Sequence, residues 1–471
     1  MTENILKAEL KTALDRMQPK TIQQLHDTFR YWLHIEDLDL IDTALAAVLD
    51  RKVSGDPVWL MLVAASGGMK TEILRSTFNV PWVLEVDNLT SRAIVTGRTV
   101  GDKMEAITGL AKEANEKVVV IKDFSEILAK ERCERGEIIS QFRTWYDGSV
   151  ARRYGSQDKV VRVQSTIGLI VGVTPAIDLF TAVLGILGER FLKFRFKQDR
   201  KNSRQGAVKL VGKEREMRQQ LACAVKYYLE NLPLDIMPTV PQPILDAMGS
   251  LAELTALCRT TVPRGLGESG AICEIEPEYA TRLSKQMLKM AQLLALVRQK
   301  KEVTLEEYAV IARIAEDTCI PYRLAILRAI HGNKLTGSEI ARKTGIPKAT
   351  CYRSLDDLEV LGYADYEEAA LESGTARLYG LTSLVTDALK AVYEPDGEGQ
   401  LTRLRTPNML EPGPLVPICI GSVNTSLDSD TPCRNPWTTS PPTTPASEAP
   451  QSRASTPTEP NKPILGRSAS Q

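Results

Sequence analysis

The sequence predicts an α/β protein built on a parallel sheet, and three observations support this fold class. Apolar runs at residues 58–65, 117–121 and 167–173 have the length and β-branched content of buried strands. Segments with helical patterning separate them, which is the alternation that covers both faces of a parallel sheet. Small and polar residues follow the first run directly. A ligand site is therefore expected at the carboxyl edge of this sheet.

The stretch at residues 56–72, DPVWLMLVAASGGMKTE, is typical of a phosphate-binding loop. In such a loop, backbone N–H groups converge on a phosphate, the Lys neutralises its outer oxygens and the Thr hydroxyl can hold Mg²⁺. Compared with the pattern G-x-x-x-x-G-K-[ST], Ala64 and Met69 replace the two glycines. The alternative is a strand, turn and helix with a surface Lys. The residues predicted to bind the nucleotide are Ser66, Gly67, Gly68, Met69, Lys70 and Thr71.

Composition limits the classes of function. The 471 residues allow two or three domains, and Lys plus Arg equals Asp plus Glu at 59 each, so nucleic acid must be bound through local basic patches. The eight Cys show no C-x-x-C pairing, which indicates reduced thiols. Without a recognisable signal peptide or an unbroken apolar span, we expect a cytoplasmic protein that has no membrane partner.

The next segments supply further candidate site residues. Residues 81–86 predict a short strand, residues 100–116 a helix, and the run KVVVIKDF a strand that delivers Asp123 to the sheet edge, where Mg²⁺ and an attacking water would lie. The alternative is a core strand followed by an exposed Lys-Asp pair. The strand at residues 167–173 places Thr174 at the same edge, and a helix at 176–187 leads to a strand at 192–196.

Residues 143–163 predict a hairpin with a basic tip that carries Arg152 and Arg153. Residues 201–320 predict an all-helical lid, in which a Thr-x-x-Glu capping pattern opens a helix at residue 304. Residues 321–385 have the pattern of a winged helix-turn-helix.

In this winged helix, the third predicted helix exposes Lys348 and Arg353 where base edges would be contacted, and Arg377 lies on the wing. Asp356, Asp357 and Glu359 lie on the same helix. Docking of a protein is therefore the alternative to binding of DNA.

The last segment, residues 394–471, holds 14 of the 26 Pro and few large apolar residues. Such a composition buries too little surface to offset chain entropy, which predicts a disordered tail. Residues 1–50 predict amphipathic helices that pack on the domain at 51–200.

The order of these pieces resembles the AAA+ ATPases, in particular the phage and mobile-element type related to minichromosome-maintenance helicases. The resemblance covers residues 25–385 and implies ATP and Mg²⁺ as cofactors and a homo-oligomeric ring that acts on DNA with replication proteins. Residues 64–71 then match Walker A and residues 118–123 Walker B. Thr174 resembles sensor 1, Arg190 the arginine finger that reaches a neighbouring subunit, and Arg282 the sensor 2 Arg that closes on the phosphate.

One Walker B carboxylate is missing. One alignment puts Lys122 at the metal-binding Asp and Asp123 at the catalytic Glu; the other makes Asp123 the metal ligand and replaces the Glu with Phe124. Because phosphoryl transfer depends on positioning and charge, this loss slows hydrolysis more than it prevents binding. The sequence thus favours an ATPase linked to DNA replication, as helicase or helicase loader. The alternatives are a transcription regulator and an ATP-binding scaffold.

Overall fold

The computed structural model describes residues 11–100, 103–154, 159–181, 185, 189–263, 275–371, 374–396 and 401–409. Residues 11–17 are helical, and two further helices and a short 3-10 turn precede the sheet: α1 (Ile22–Trp32), α2 (Asp39–Val48) and the turn Asp50–Lys52. The core then alternates strands with short helices: β1 (Trp59–Val63), α3 (Lys70–Ser76), β2 (Val83–Glu85), α4 (Ser91–Ile94), β3 (Thr96–Val100), β4 (Lys103–Thr108), α5 (Leu110–Glu113), β5 (Val118–Ile121), α6 (Ser125–Ala129), α7 (Arg132–Tyr146), β6 (Ser149–Tyr154), β7 (Lys159–Gln164), β8 (Gly168–Val173), a 3-10 helix (Pro175–Phe180) and β9 (Phe191–Arg195).

The rest of the described chain is mostly helical. Five helices follow the core: α8 (Arg200–Lys209), α9 (Glu214–Glu230), α10 (Gln242–Arg259), α11 (Thr281–Val297) and α12 (Leu305–Thr318). A small three-helix unit with a three-stranded sheet comes next: α13 (Arg323–Ile330), β10 (Leu335–Thr336), α14 (Gly337–Thr344), α15 (Lys348–Val360), β11 (Ala364–Leu371) and β12 (Gly374–Leu381). The last described elements are α16 (Ser383–Val392), β13 (Tyr393–Pro395) and β14 (Leu401–Leu404).

Five parallel strands form the central sheet in the order β2-β5-β8-β1-β9. All five residues of β1 are buried, and alternate residues face two separate apolar clusters, with Leu60 on one side and Trp59 and Met61 on the other. Burial on both faces is the reason why the sequence shows a continuous apolar run rather than alternation. The prediction of an α/β fold with a parallel sheet is confirmed.

Two antiparallel hairpins, β3–β4 and β6–β7, lie outside this sheet. The predicted hairpin is confirmed, but Arg152 and Arg153 lie within strand β6, and the tip at 155–158 lies outside the described residues. The helix predicted at 100–116 is wrong, because β4 occupies its first half. Thr and Val residues make β3 a good strand, and pairing with β3 imposes the extended conformation on β4.

An ion pair between Asp50 and Lys289 joins the helical lid to the sheet. Asp50 Oδ1 accepts from Lys289 Nζ at 2.7 Å and from Val58 N at 3.0 Å, just before β1 begins. The two side chains are 0% and 2% exposed. Burial lowers the pKa of the Lys289 ammonium, and the neighbouring Asp50 opposes that effect. The lid helix α11 is thereby attached to the entrance of the central strand.

Two further contacts attach the C-terminal unit to the lid. The buried Arg323 donates to the carbonyls of Cys258 and Thr260 and lies 3.7 Å from the carboxylate of Asp357. Glu316 accepts from Arg328 at 2.6 Å and from the hydroxyl of Tyr393 at 2.7 Å. Both contacts fix the orientation of α13 on the lid.

The predicted boundary of the tail needs a correction. Residues 393–404 contain the β13–β14 hairpin, in which Leu401 is 2% exposed, and Arg405 N donates to Val392 O at 2.9 Å. Burial of Leu401 and the returning strand give this segment a structure that composition did not predict. Residues 410–471 lie outside the described part, so disorder there stays a prediction.

None of the helices in the described part of the chain is both long enough and apolar enough to cross a bilayer.

Lys289→Ala is expected to lower the free energy of unfolding by about 3–5 kcal/mol, because it leaves the Asp50 carboxylate buried without its cation. Lys285→Ala on the same helix is the matched control. Its pair with Asp56 is 63% and 52% exposed, so we expect a loss of at most about 1 kcal/mol. Urea unfolding of both variants measures the difference. If both variants lost the same free energy of unfolding, the buried Asp50 carboxylate would not need Lys289 for its stabilisation.

Candidate functional site

The loop after β1 has a tight, partly left-handed backbone. Gly67 and Met69 have φ of 76° and 61°, and Gly68 N donates to Ala65 O at 3.1 Å. A Cβ on Gly68 would lie 2.9 Å from Ala65 O, so no larger residue fits there without a shift. Met69 stands where the phosphate-loop pattern has its second Gly, and its backbone adopts the left-handed conformation that favours Gly. Met69 thus has a backbone conformation that a Gly at this position could also adopt.

Lys70 opens α3 and turns back across this loop. Its Nζ donates to Ala64 O at 2.6 Å and to Ala65 O at 2.9 Å, and the residue is only 8% exposed. Burial lowers the pKa of the Lys70 ammonium, while the negative charge of Asp123 acts in the opposite direction. A cation is therefore held directly against the loop backbone, with a carboxylate close enough to influence it.

Three predicted residues meet at this carboxyl edge of the sheet. Thr174 follows β8 and lies next to the loop, because Ala64 N donates to Val173 O at 3.2 Å. The exposed Asp123 follows β5 and accepts from Ser125 N at 2.9 Å. The hydroxyl of Thr71, on the first turn of α3, has no hydrogen-bond partner in the described part of the chain. Thr71, Asp123 and Thr174 thus lie at the same edge of the sheet as Lys70, and Asp123 is close enough to raise the pKa of the Lys70 ammonium against the effect of burial.

Asp123 and its two chain neighbours, Lys122 and Phe124, have different surroundings. Lys122 points away from the loop to the end of β2, where it pairs with Glu85 at 2.6 Å and Asp87 at 2.8 Å. Phe124 is 1% exposed and packs among aromatic rings of the core. Asp123 is thus the carboxylate that this strand turns toward Lys70, and the next position carries no acid.

Among the described residues, no group of three or more His, Cys, Asp and Glu is arranged as a metal site. A magnesium ion bound with a nucleotide needs fewer protein ligands, since it uses one or two carboxylates together with phosphate oxygens and water. Thr71 and Asp123 are the residues that could hold it.

Arg218 is a loop neighbour that the sequence did not predict. It extends from α9 and donates to both carboxylate oxygens of Glu72, at 2.8 and 2.9 Å, directly after Thr71. Hydrogen bonds to Glu72 are the first cause of the raised pKa of the Arg218 guanidinium. No motif in the sequence marks a lid Arg 146 residues away from its partner.

Arg190 and Arg282 lie at the other end of the sheet. Arg190 precedes β9, which runs parallel to β1 with Trp59 opposite Phe191, so roughly 15 Å of strand separates it from the loop. The Arg190 guanidinium donates to both oxygens of Asp147 at 3.1 Å, and burial lowers its pKa. Arg282 NH1 donates to Glu189 O at 3.0 Å.

The structure therefore places Arg282 away from the loop of its own subunit, and its contact with the phosphate that Arg190 would reach stays a prediction. Arg282 instead lines a cavity of about 790 Å³ at the amino end of the sheet, together with Asp56, Asp147 and Lys285. The contact of Arg190 with a neighbouring subunit stays a prediction.

The C-terminal unit has the geometry of a winged helix. Glu339 and Thr336 form a capping box at the start of α14, and Gly337 lies so close to the Tyr352 ring that a Cβ would approach it to 2.5 Å. This close contact fixes α15 against α14. The N-terminal half of α15 exposes Lys348 and Arg353, which make no ion pair within the described part.

Two of the three acids on α15, Asp357 and Glu359, have partners inside the unit. Asp357 lies 3.7 Å from Arg323, and Glu359 lies 3.8 Å from Arg377 on the wing strand β12. Arg377 also stacks at 4.1 Å over the ring of Tyr366. The negative charge that favoured a protein-docking face is thus partly neutralised, and a positive surface is left near the start of α15.

In the β6–β7 hairpin, Arg152 and Arg153 pair in register with Val161 and Val160. The hairpin packs beside β4, outside the five-stranded sheet.

Comparison with protein families shows a similarity of the C-terminal unit to a known family. Residues 322–371, from the start of α13 to the end of β11, match the MarR family. No curated protein matches the chain. The match is confined to the winged helix, so it does not extend to the loop or the lid. The chain therefore carries a C-terminal winged-helix domain similar to that of the MarR family.

Proposed function

We propose that this chain is a DNA-binding regulator whose winged helix contacts DNA and whose loop at 64–71 binds ATP with Mg²⁺. The observation that carries the DNA-binding part is the exposed positive start of α15 in a domain similar to the MarR family. In winged helices and related folds, this end of the recognition helix enters the major groove. Lys348 and Arg353 would then reach phosphates or base edges.

The internal pairing of the acids supports DNA as the ligand. An unpaired Asp357 or Glu359 would repel phosphates, but Arg323 and Arg377 lie against these two carboxylates. The domain thus presents less negative charge to DNA than its sequence indicates. Arg377 stays half-exposed on the wing, where it could contact the backbone of the duplex.

The geometry of the loop supports binding of a nucleotide. Lys70 is positioned to release its carbonyl contacts and accept phosphate oxygens, while the left-handed turn at Gly67–Met69 leaves room for the close approach of the backbone to an anion. Thr71 and Asp123 could hold Mg²⁺, whose charge would neutralise the phosphates. Arg218 and Thr174 border the same space and could orient the outer phosphate.

Phe124 argues for slow hydrolysis. A general base at this position would orient or deprotonate the attacking water, but the Phe124 ring lies in the core and carries no acid. We propose that the site acts mainly as a nucleotide sensor, and that the AAA+ resemblance reflects its architecture more than fast turnover.

A second candidate is the replication helicase or helicase loader that assembles into a homo-oligomeric ring with replication proteins. The β6–β7 hairpin favours it, because Arg152 and Arg153 lie on a hairpin outside the sheet that could face single-stranded DNA. The contacts of Arg190 favour it less, since this guanidinium is held by Asp147 within its own subunit. A DNA-unwinding assay on a forked duplex separates the two candidates.

Gly68→Ala is expected to weaken binding of a fluorescent ATP analogue by about tenfold or more, because its Cβ would displace the carbonyl of Ala65 and distort the loop. Met69→Gly is the matched control. Gly adopts the same left-handed conformation, so we expect affinity within about threefold of the wild type. Anisotropy titrations measure both. If the wild type, Gly68→Ala and Met69→Gly bound the analogue with equal affinity, the loop would not be part of the nucleotide site.

Arg353→Ala is expected to cost about 1–3 kcal/mol in binding to a duplex that the wild type selects from a random pool, and less on unselected DNA. Lys390→Ala, at an exposed position on α16 away from α15, serves as the control and should bind as the wild type does. Electrophoretic mobility shifts at fixed salt measure both. If removal of Lys348, Arg353 and Arg377 together left the affinity unchanged, the winged helix would not be the DNA contact.

A further inference from the structure

Residues 197–218, which we call the basic segment, carry a local excess of positive charge, although the net charge of the whole chain is zero. They contain eight Lys or Arg and three Asp or Glu, a local net charge of +5 in a protein of net charge zero. The segment covers the end of the sheet after β9, the helix α8 and the start of α9. It belongs neither to the winged helix nor to the β6–β7 hairpin.

The cations of α8 face solvent. Arg200, Lys201 and Arg204 are exposed, and none of the three makes an ion pair within the described part of the chain. Elsewhere on the described surface, cations such as Lys285 and Arg313 pair with carboxylates. Within the described part, α8 thus presents three exposed cations without ion pairs in five consecutive positions, 200–204.

The cations in the first turn of α8 do not stabilise the helix. The N-cap Asp199 accepts from Asn202 N at 2.7 Å and supplies one negative charge, but the first turn itself contains Arg200 and Lys201 and no acid, and cations destabilise that end of a helix. Arg200 and Lys201 thus cost the helix stability, by roughly 0.3–1 kcal/mol each at low salt. A bound anion would offset this cost.

The segment is fixed in place rather than free to swing. Gly206 packs directly against the ring of His34, and Asn202 donates to Glu36 at 3.1 Å. At its two ends, Gln198 contacts Met69 of the loop and Arg218 pairs with Glu72. A surface held in this way presents its charges without further ordering cost on binding.

We infer that the basic segment is a second DNA contact, which binds the phosphate backbone of duplex DNA through Arg200, Lys201 and Arg204. This inference rests on the proposed DNA-binding function and adds a sequence-independent surface next to the nucleotide loop. Contacts of this kind position a protein on DNA without reading its bases. The helix also exposes Val208, and Val211 follows it, but two apolar side chains are too few to insert α8 into a lipid surface.

The test uses the full-length chain with Arg200, Lys201 and Arg204 changed to Gln. On a random-sequence duplex, we expect weaker binding and a salt slope, d log K/d log [salt], that is about 2–3 smaller in magnitude, since each lost phosphate contact accounts for about 0.9. A control with Lys112, Lys226 and Lys301 changed to Gln loses the same charge at other surface positions. It should keep the wild-type slope and affinity, and thermal unfolding should show that both variants fold.

Two results would overturn the inference. The first is a triple variant whose slope and affinity equal those of the wild type while Arg353→Ala still binds a preferred duplex more weakly; the proposed function would then stand without the basic segment. The second is an unchanged DNA slope together with lost binding to phosphatidylserine vesicles, which would assign the segment to a membrane surface. If the wild type bound no DNA at any salt concentration, the proposed function itself would fail.

Discussion

The buried carboxylate of Asp50 is the contact on which the arrangement of the described chain depends. It accepts from the backbone of Val58, just before the central strand, and from Lys289 of the lid. It also lies so close to Gly168, where β8 begins, that a Cβ there would approach its Oδ2 to 2.9 Å. One side chain thus sets the start of two adjacent strands and the position of the lid helix α11.

This contact lies at the amino end of the sheet, whereas the candidate site lies at the carboxyl end. The parallel strands carry the fixed register from one end to the other, so Lys70, Asp123 and Thr174 converge although they are far apart in sequence. The same constraint explains why Arg190 and Arg282 lie away from the loop. They belong to the end at which Asp50 and Lys289 meet.

Much of the fold could be predicted from the sequence, because strands buried on both faces and capped helices have strong local patterns. The β1 run and the Thr-x-x-Glu cap at Thr304 are examples. The β4 strand was missed because its conformation comes from pairing with β3 and not from its own residues. The β14 strand was missed for a similar reason, since composition cannot indicate that Leu401 returns to a buried position.

For the candidate site, the loop and Asp123 followed from short motifs, but the surroundings did not. The conformation of Met69 shows that a Gly position can be filled by another residue that keeps a positive φ. Arg218 reaches Glu72 through the packing of α9 on α3, which involves residues 146 positions apart. Local sequence carries no information on such a contact.

Equilibrium binding of ATP to the wild type and to Lys70→Met tests the central claim most directly, because this change keeps the length of the side chain and removes its charge. A charged hydrogen bond to phosphate is worth about 1.5–3 kcal/mol, so the account predicts affinity lower by about 10- to 150-fold in Mg²⁺ buffer, with an unchanged unfolding midpoint. Titration calorimetry measures the affinity. Equal binding of ATP by the two folded proteins would contradict the nucleotide site.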